Sequence, residues 1–325
     1  MDIATSPPVQ ARQRVVGYAL LLFMGLIWGL AVSMSKLAGL NGGHPIGLAL
    51  WQVSVAGTML FLASLASGRP PPLRPRVLGF NLICGLTGVA FPAIALFWSA
   101  LMLPAGIVAI SFASMPLFTY LLSVIFGIEA GTVRRLAGVF LGLAAMALLV
   151  VPDGALPAPD LAPWVLLAIA ASVSMSVENF TAGGYRPDNV TSLQLSCGRQ
   201  YGAAIFLAPL ALISGTTIAL TGEWGVVHWA ATATGVISGV AYTCLLHVIR
   251  TSGPVFASQT AYIITLAGVG WGMVIFGERH SIYIWLALAL TLVAIALVTP
   301  RAPRATGFVG HARVLSQHPG SDDPS

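Results

Sequence analysis

The 325 residues predict an all-α polytopic membrane protein, with ten transmembrane helices in two inverted repeats of five. Three observations carry that prediction. Apolar residues make up 57% of the chain and charged residues only 8%, where soluble domains carry roughly 25% charged residues. The apolar residues gather into stretches of about the ~20 residues that cross a bilayer at 1.5 Å rise per residue. Lys and Arg then fall almost wholly to one side of those stretches.

In order, the spans run over 15–38, 46–67, 77–101, 105–126, 133–151, 161–182, 191–213, 226–249, 254–276 and 282–299. The first follows Arg12 and Arg14 but is longer than the h-region of a signal peptide, and no small-residue cleavage site follows it, so it reads as a retained helix. With the amino terminus inside, Arg12, Arg14, Arg69, Arg74, Arg76, Arg134, Arg135, Arg186, Arg250, Arg301, Arg304 and Arg313 are all cytoplasmic, and Arg279 alone lies in an outer loop. That asymmetry sets both termini in the cytoplasm of a cell (inner or plasma) membrane. The net charge of +5 therefore reports orientation. No basic stripe interleaved with aromatics points to nucleic acid. Cys84, Cys197 and Cys244 sit inside spans without metal-ligand spacing and read as small buried apolar residues. No metal, cofactor or catalytic set is expected.

Between and around the spans, 1–14 is a cytoplasmic tail, 15–152 and 161–300 are the five-helix repeats, and 153–160 is a linker. The polar segment 301–325 lacks apolar periodicity and is expected to be disordered.

The repeat is legible in the residues. A shift of 150 carries Pro104 onto Pro254 and Val124-Ile125-Phe126-Gly127 onto Val274-Ile275-Phe276-Gly277, each followed within two residues by a glutamate, Glu129 and Glu278. Five helices per unit is an odd number, so the second copy enters the membrane from the opposite face. Charge agrees: Arg134-Arg135, expected inside, correspond to Ile284-Trp285, expected outside. Inverted repeats of this kind let secondary transporters alternate access around a midplane site.

Trp28-Gly29 in the first helix, Lys36 eight residues after the Trp, and fourth and ninth helices that end in apolar-Gly-x-Glu or Gly-Glu resemble the EamA-type members of the drug/metabolite transporter superfamily. The similarity covers about residues 15–300. Gly277-Glu278 matches the family's helix-end pattern, Glu129 is displaced by Ile128, and Trp51-Gln52 stand where the family often carries an Arg. The resemblance implies a ten-helix fold and export or exchange of small metabolites.

Glu178 and Arg199 are the most costly residues to insert, at about 2.5 to 3.5 kcal/mol each near a helix centre, so they should face the bundle interior and find partners. Counted from the cytoplasmic ends of spans six and seven, they lie at depths of about 9 and 13 Å at 1.5 Å per residue. Across an antiparallel hairpin they would meet, as a structural brace or as a coupling and gating pair. In the second role Glu178 exchanges a proton, or Arg199 anchors a substrate anion. Lys36, near the outer end of its span, either snorkels to the headgroups or turns into the cavity as a third coupling residue.

Trp28, Gln52, Asn81, Trp98, Arg199, Tyr242, Gln259 and Tyr262 are the candidates to line a substrate cavity. Asn81, Gly85, Gly88, Pro92 and Ser99 form one small and polar stripe, which fits close helix packing as well as a cavity wall. Pro92, Pro116 and Pro209 interrupt backbone hydrogen bonding inside spans, which lipid cannot satisfy, and are the hinge candidates.

The function expected is secondary transport, by export or exchange, of small polar or amphipathic metabolites, amino-acid-like ones among them, with protons the candidate coupling ion. The partners implied are that small molecule and the lipid bilayer. An intramembrane enzyme would need catalytic groups at mid-depth, and no His-Glu-x-x-His, paired helical aspartates or Ser-His-acid set is present. A channel would need rings of like charge or filter carbonyls.

Overall fold

The computed structural model describes residues 7–126, 131–150, 156, 158–184, 187–252 and 260–298, and helix occupies each of the ten apolar stretches. No strand occurs among the described residues. Spans one and two are α1 (Pro7–Leu40) and α2 (Pro45–Ala66). The third is compound: α3 (Pro75–Gly85), a π-helical turn (Leu86–Ala90) and α4 (Phe91–Met102). The fourth is broken into α5 (Ala105–Phe112) and α6 (Met115–Ile125). The rest are α7 (Val133–Val150), α8 (Ala162–Gly184), α9 (Ser192–Ile213), α10 (Val226–Ser252), α11 (Thr260–Phe276) and α12 (Ile282–Val298).

Stretches Val15–Leu40, Pro45–Ala66, Pro75–Met102, Ala105–Leu122 and Val226–Val248 each have the length and composition to cross a membrane, and Ala162–Glu178, Tyr262–Phe276 and Ile282–Val298 are shorter apolar helices. One boundary differs from expectation. Helix α1 begins at Pro7, inside the segment read as a tail, because a helix tolerates Pro in its first turn, where no amide partner is needed. The carboxy-terminal tail, Glu129 and Gln259 lie outside the described residues.

Polarity runs inside out relative to a soluble protein. Leu22, Phe23, Ile83, Ile205, Leu212 and Val293 are exposed, while Ser33, Gln52, Asn81, Ser172, Glu178, Arg199, Thr234 and Thr291 are buried. Lipid is as apolar as Leu, so apolar side chains gain nothing by leaving it, whereas polar groups need protein partners.

Small residues set the closest helix approaches. Gly25 and Gly29 of α1 lie against Ile263 and Ala267 of α11, and Trp271 donates from Nε1 to the Leu26 carbonyl at 3.1 Å. These pairs advance together along both chains, so α1 and α11 are parallel. Helix α8 lies parallel to the fourth span, with Ser172 donating to the Ser111 carbonyl (2.9 Å) and Ser176 to that of Met115 (2.9 Å). Helices α7 and α12 are antiparallel: Val139 clusters with Ala294 and Val298 toward the end of α12, while Met146 and Leu149 cluster with Ile284 and Leu288 toward its start. The third span is wedged between α8 and α9, which pack on it far more than on each other.

Candidate functional site

At mid-length of α1 and of the third span, five helical stretches converge on one buried ion pair. Arg199 on α9 donates from Nη1 to Oε1 of Glu178 on α8, and both residues are almost completely buried, 4% and 3% exposed. The pair forms as the sequence predicts, but not across a simple hairpin. Glu178 lies against Gly88 and the backbone of Arg199 lies against Gly85, so the two charges meet over the glycine-rich turn of the intervening span. A Cβ at Gly88 would stand 2.8 Å from the Glu178 carboxyl carbon, and one at Gly85 would stand 2.8 Å from the Arg199 carbonyl. The glycines of the small and polar stripe therefore work as notches for the pair.

Tyr242 of α10 closes the cluster. Its hydroxyl donates to the Gly88 carbonyl at 3.1 Å, its ring lies edge-on to Trp28 of α1 with centroids 5.1 Å apart, and the Arg199 guanidinium sits 5.8 Å from its centroid. The Tyr242 bond has a covalent cause. In an α-helix the Gly88 carbonyl would accept from the amide four residues later, and that residue is Pro92, which has no N–H. The freed acceptor, intolerable in lipid, is met by the phenol, and the π-helical turn ends two residues before the proline.

At the second break Pro116 stands in the first turn of α6, after the interruption at Ala113 and Ser114, and the serines of α8 bond carbonyls on either side of it, those of Ser111 and Met115. Ser174 of α8 bonds the Thr87 carbonyl of the π-helical turn at 2.7 Å. Pro209 is different: it stays inside an unbroken α9 and is exposed.

The other expected cavity residues are spread more widely. Gln52 is buried and donates to Ser238 Oγ at 3.0 Å, one helical turn from Tyr242, and its Oε1 has no hydrogen-bond partner. Asn81 is buried against Gly198 and Gly202 of α9. Trp98 stacks on Trp164 with centroids 5.7 Å apart, near the ends of their helices, and so is not in the cluster. Tyr262 packs beside Ala113 and Ile295.

Lys36 does not reach for headgroups. Its Nζ lies 2.6 Å from Glu278 Oε1 and 4.9 Å from the Phe276 ring centroid, with the side chain 14% exposed. Glu278 Oε1 also accepts from the Ala105 amide (2.7 Å), and Oε2 from that of Gly106 (3.3 Å), so the carboxylate caps the start of α5 where the helix dipole favours negative charge. Gly277 makes this possible: its φ of +63° ends α11 and turns the next residue back toward the bundle. His280 is buried beside the carboxylate, its Nε2 3.8 Å from Glu278 Oε2, with neither ring nitrogen hydrogen-bonded. Desolvation holds its pKa below the ordinary value, with Lys36 acting in the same direction and Glu278 opposing. In the sequence Gly277-Glu278 is legible only as a helix-end pattern. The available signal is that Lys36 and Glu278 each stand at the end of an apolar stretch, where opposite charges can meet.

A bundle of apolar helices that buries a charge pair at mid-depth, beside two broken spans, has the build of a membrane transporter. The model of the EamA-like transporter family matches the chain twice, over residues 15–151 and 162–299, and the chain belongs to that family. It is 26% identical over 298 residues to the "uncharacterized inner membrane transporter YedA" of Escherichia coli K12, covering 89% of this chain and 92% of that protein. It is 31% identical over 172 residues to the "probable terminal-alkyne amino-acid exporter" of Streptantibioticus cattleyicolor, covering 53% of this chain and 56% of the exporter, so the chain spans little more than half the length of this relative. A protein of known crystal structure shares the fold at a TM-score of 0.60 and 20% identity, over 88% of this chain and 98% of that one. These names point to transport rather than catalysis.

Proposed function

We propose that the chain is a secondary transporter of the inner membrane that exports or exchanges small polar or amphipathic metabolites, amino-acid-like ones among them, by alternating access between two inverted five-helix repeats. The observation that carries this reading is the double family match, one copy in each half. The repeats are then 15–152 and 161–300, joined by 153–160, with both termini cytoplasmic on the charge count.

Packing supports the inversion. The 150-residue shift exchanges α1 with α8, the fourth span with α11, and the third span with α10. Helix α1 packs on α11 and α10, and α8 packs on the fourth and third spans, so the neighbours exchange with the halves. The same shift carries Trp28 onto Glu178, and both sit in the central cluster. Antiparallel packing of α7 on α12, the fifth helix of each half, is what a two-fold axis in the membrane plane requires.

In this reading the substrate meets Trp28, Tyr242 and Arg199, with Gln52 and Asn81 nearby. Glu178 and Arg199 gate the inner half, and Glu178 is the carboxylate able to exchange a proton. Lys36 and Glu278 close the outer half, and the breaks at Pro92 and Pro116 are where the spans bend. The amino-acid substrate named for the Streptantibioticus relative supports the substrate class.

The test is metabolite movement in proteoliposomes, with and without a proton gradient. Gradient-driven exchange of a small metabolite is the expected outcome. Absence of solute movement under every gradient, with protein shown to be folded and correctly inserted, would refute the transport reading.

A further inference from the structure

We propose that His280 is a proton-binding site that works the latch between Lys36 and Glu278: a proton taken up by its ring draws the carboxylate toward Nε2 and releases Lys36 to solution. This deepens the transport reading and rests on it, because that reading makes the latch a gate.

The carboxylate is unevenly used. Oε1 of Glu278 holds two short bonds, from Lys36 Nζ at 2.6 Å and from the Ala105 amide at 2.7 Å, while Oε2 holds only the Gly106 amide at 3.3 Å. The ring of His280 faces that second oxygen, with Nε2 3.8 Å away. No part of the side chain reaches solvent, and neither ring nitrogen has a hydrogen-bond partner. A closing movement of about 1 Å would complete a charge-assisted bond once the ring is protonated. Glycine keeps the way clear. A Cβ at Gly106 would stand 2.9 Å from His280 Cε1 and Nε2, and one at Gly272 would stand 2.5 Å from Glu278 Oε2.

Charge decides which cation leaves. Lys36 and Glu278 together are neutral, and a proton on His280 adds one positive charge at the start of α5, where the helix dipole already disfavours cations. The cluster returns to neutrality by giving up Lys36, whose side chain is 14% exposed on a flexible stem, whereas the imidazolium is enclosed. The other elements around the ring do not compete: α5 has no titratable side chain, α11 and α12 have one tyrosine each, Tyr262 and Tyr283, and Arg279 is exposed. Lys36 is one of the groups that hold the His280 pKa down, so its departure raises the affinity of the ring for a proton. Proton uptake and Lys36 release therefore favour each other, and acid shifts the latch toward the released state. Glu278 stays on the start of α5, while α1 loses its tie to the turn after α11.

Lys36 is the only lysine in the chain, so an amine-reactive, membrane-impermeant acylating reagent reports on it alone once peptide mass spectrometry separates the amino terminus. The experiment labels full-length protein in detergent and divides the rate by that of the same chain denatured in SDS at each pH, which cancels the titration of a free amine. Expected is protection of at least about tenfold at about pH 8, as a charge-assisted bond implies. That protection should fall at least about fivefold by about pH 5.5, across the range in which histidine titrates. His280→Gln should stay protected throughout, and so should Gly106→Ala, which keeps the imidazole but holds it off the carboxylate. Wild-type protection that is constant or grows in acid overturns the inference, whether or not either variant folds. A folded His280→Gln protein with the wild-type pH response does so too. Counterflow of solute in proteoliposomes is measured in parallel: release of Lys36 in acid without solute movement would support the proton site and count against transport instead.

Discussion

Glu178 and Arg199 share one burial problem, and each solves the other's. Because both are almost wholly buried, removing one partner strands the other, at a cost of about 3–5 kcal/mol. Glu178→Gln and Arg199→Gln should each lower unfolding stability on that scale. A double variant in which both become Leu or Met should lose less than the two singles combined, and a double-mutant cycle by denaturant titration measures the difference. His280 makes a prediction with a pH sign. Its pKa is depressed in the folded protein, so as pH falls below about 6.5 the unfolded chain binds a proton that the folded chain resists. Its contribution is therefore lost on the acid side. Melting temperature should fall between neutral and mildly acidic pH, and His280→Gln should shrink that fall. An equal fall in both proteins would show that His280 plays no part.

Among the elements, the third span holds the most specific design. Its π-helical turn, its two glycine notches and Pro92 act together: the proline frees a carbonyl, Tyr242 fills it, and the glycines admit the pair. Gly88→Ala puts a methyl group into Glu178 and should destabilise the protein by about 1–3 kcal/mol, as overpacked cores do, while pushing the carboxylate off Arg199. Gly79→Ala in the same span meets nothing within 4 Å and should change stability by no more than about 0.5 kcal/mol, or raise it slightly through helix propensity. Equal effects in thermal melts would remove the notch from the account. Tyr242→Phe leaves the Gly88 carbonyl without its phenol donor and should cost about 1–3 kcal/mol. At the start of α5, Glu278→Gln abolishes the ion pair with Lys36 and weakens the helix cap, which hydrogen exchange at Ala105 and Gly106 would register as faster opening.

For the whole molecule, the decisive quantity is orientation. Single cysteines replacing Thr132 and Ser281, in a background with Cys84, Cys197 and Cys244 substituted, should label from opposite faces of sealed vesicles, Thr132 from the cytoplasmic side. Labelling from one common face would end the inverted arrangement.

The apolar helices and the double copy of the family unit were readable in the sequence, because the bilayer imposes one length on every crossing and a repeated unit keeps its residues at a fixed shift. The Glu178–Arg199 pair was readable from cost, since a charge at that depth has to find its opposite. Harder to read were Lys36 with Glu278, which lie 242 residues apart, and the role of Gly88. A small residue in a membrane helix signals close approach without naming what approaches. Likewise a proline in a span announces an orphan carbonyl but not the Tyr that fills it. The sequence alone therefore determined which stretches are apolar helices and which charges must be buried; which buried groups meet, over which glycine and through which freed carbonyl, was decided only when the helices chose their neighbours, because partners in lipid are fixed by packing geometry and not by distance along the chain.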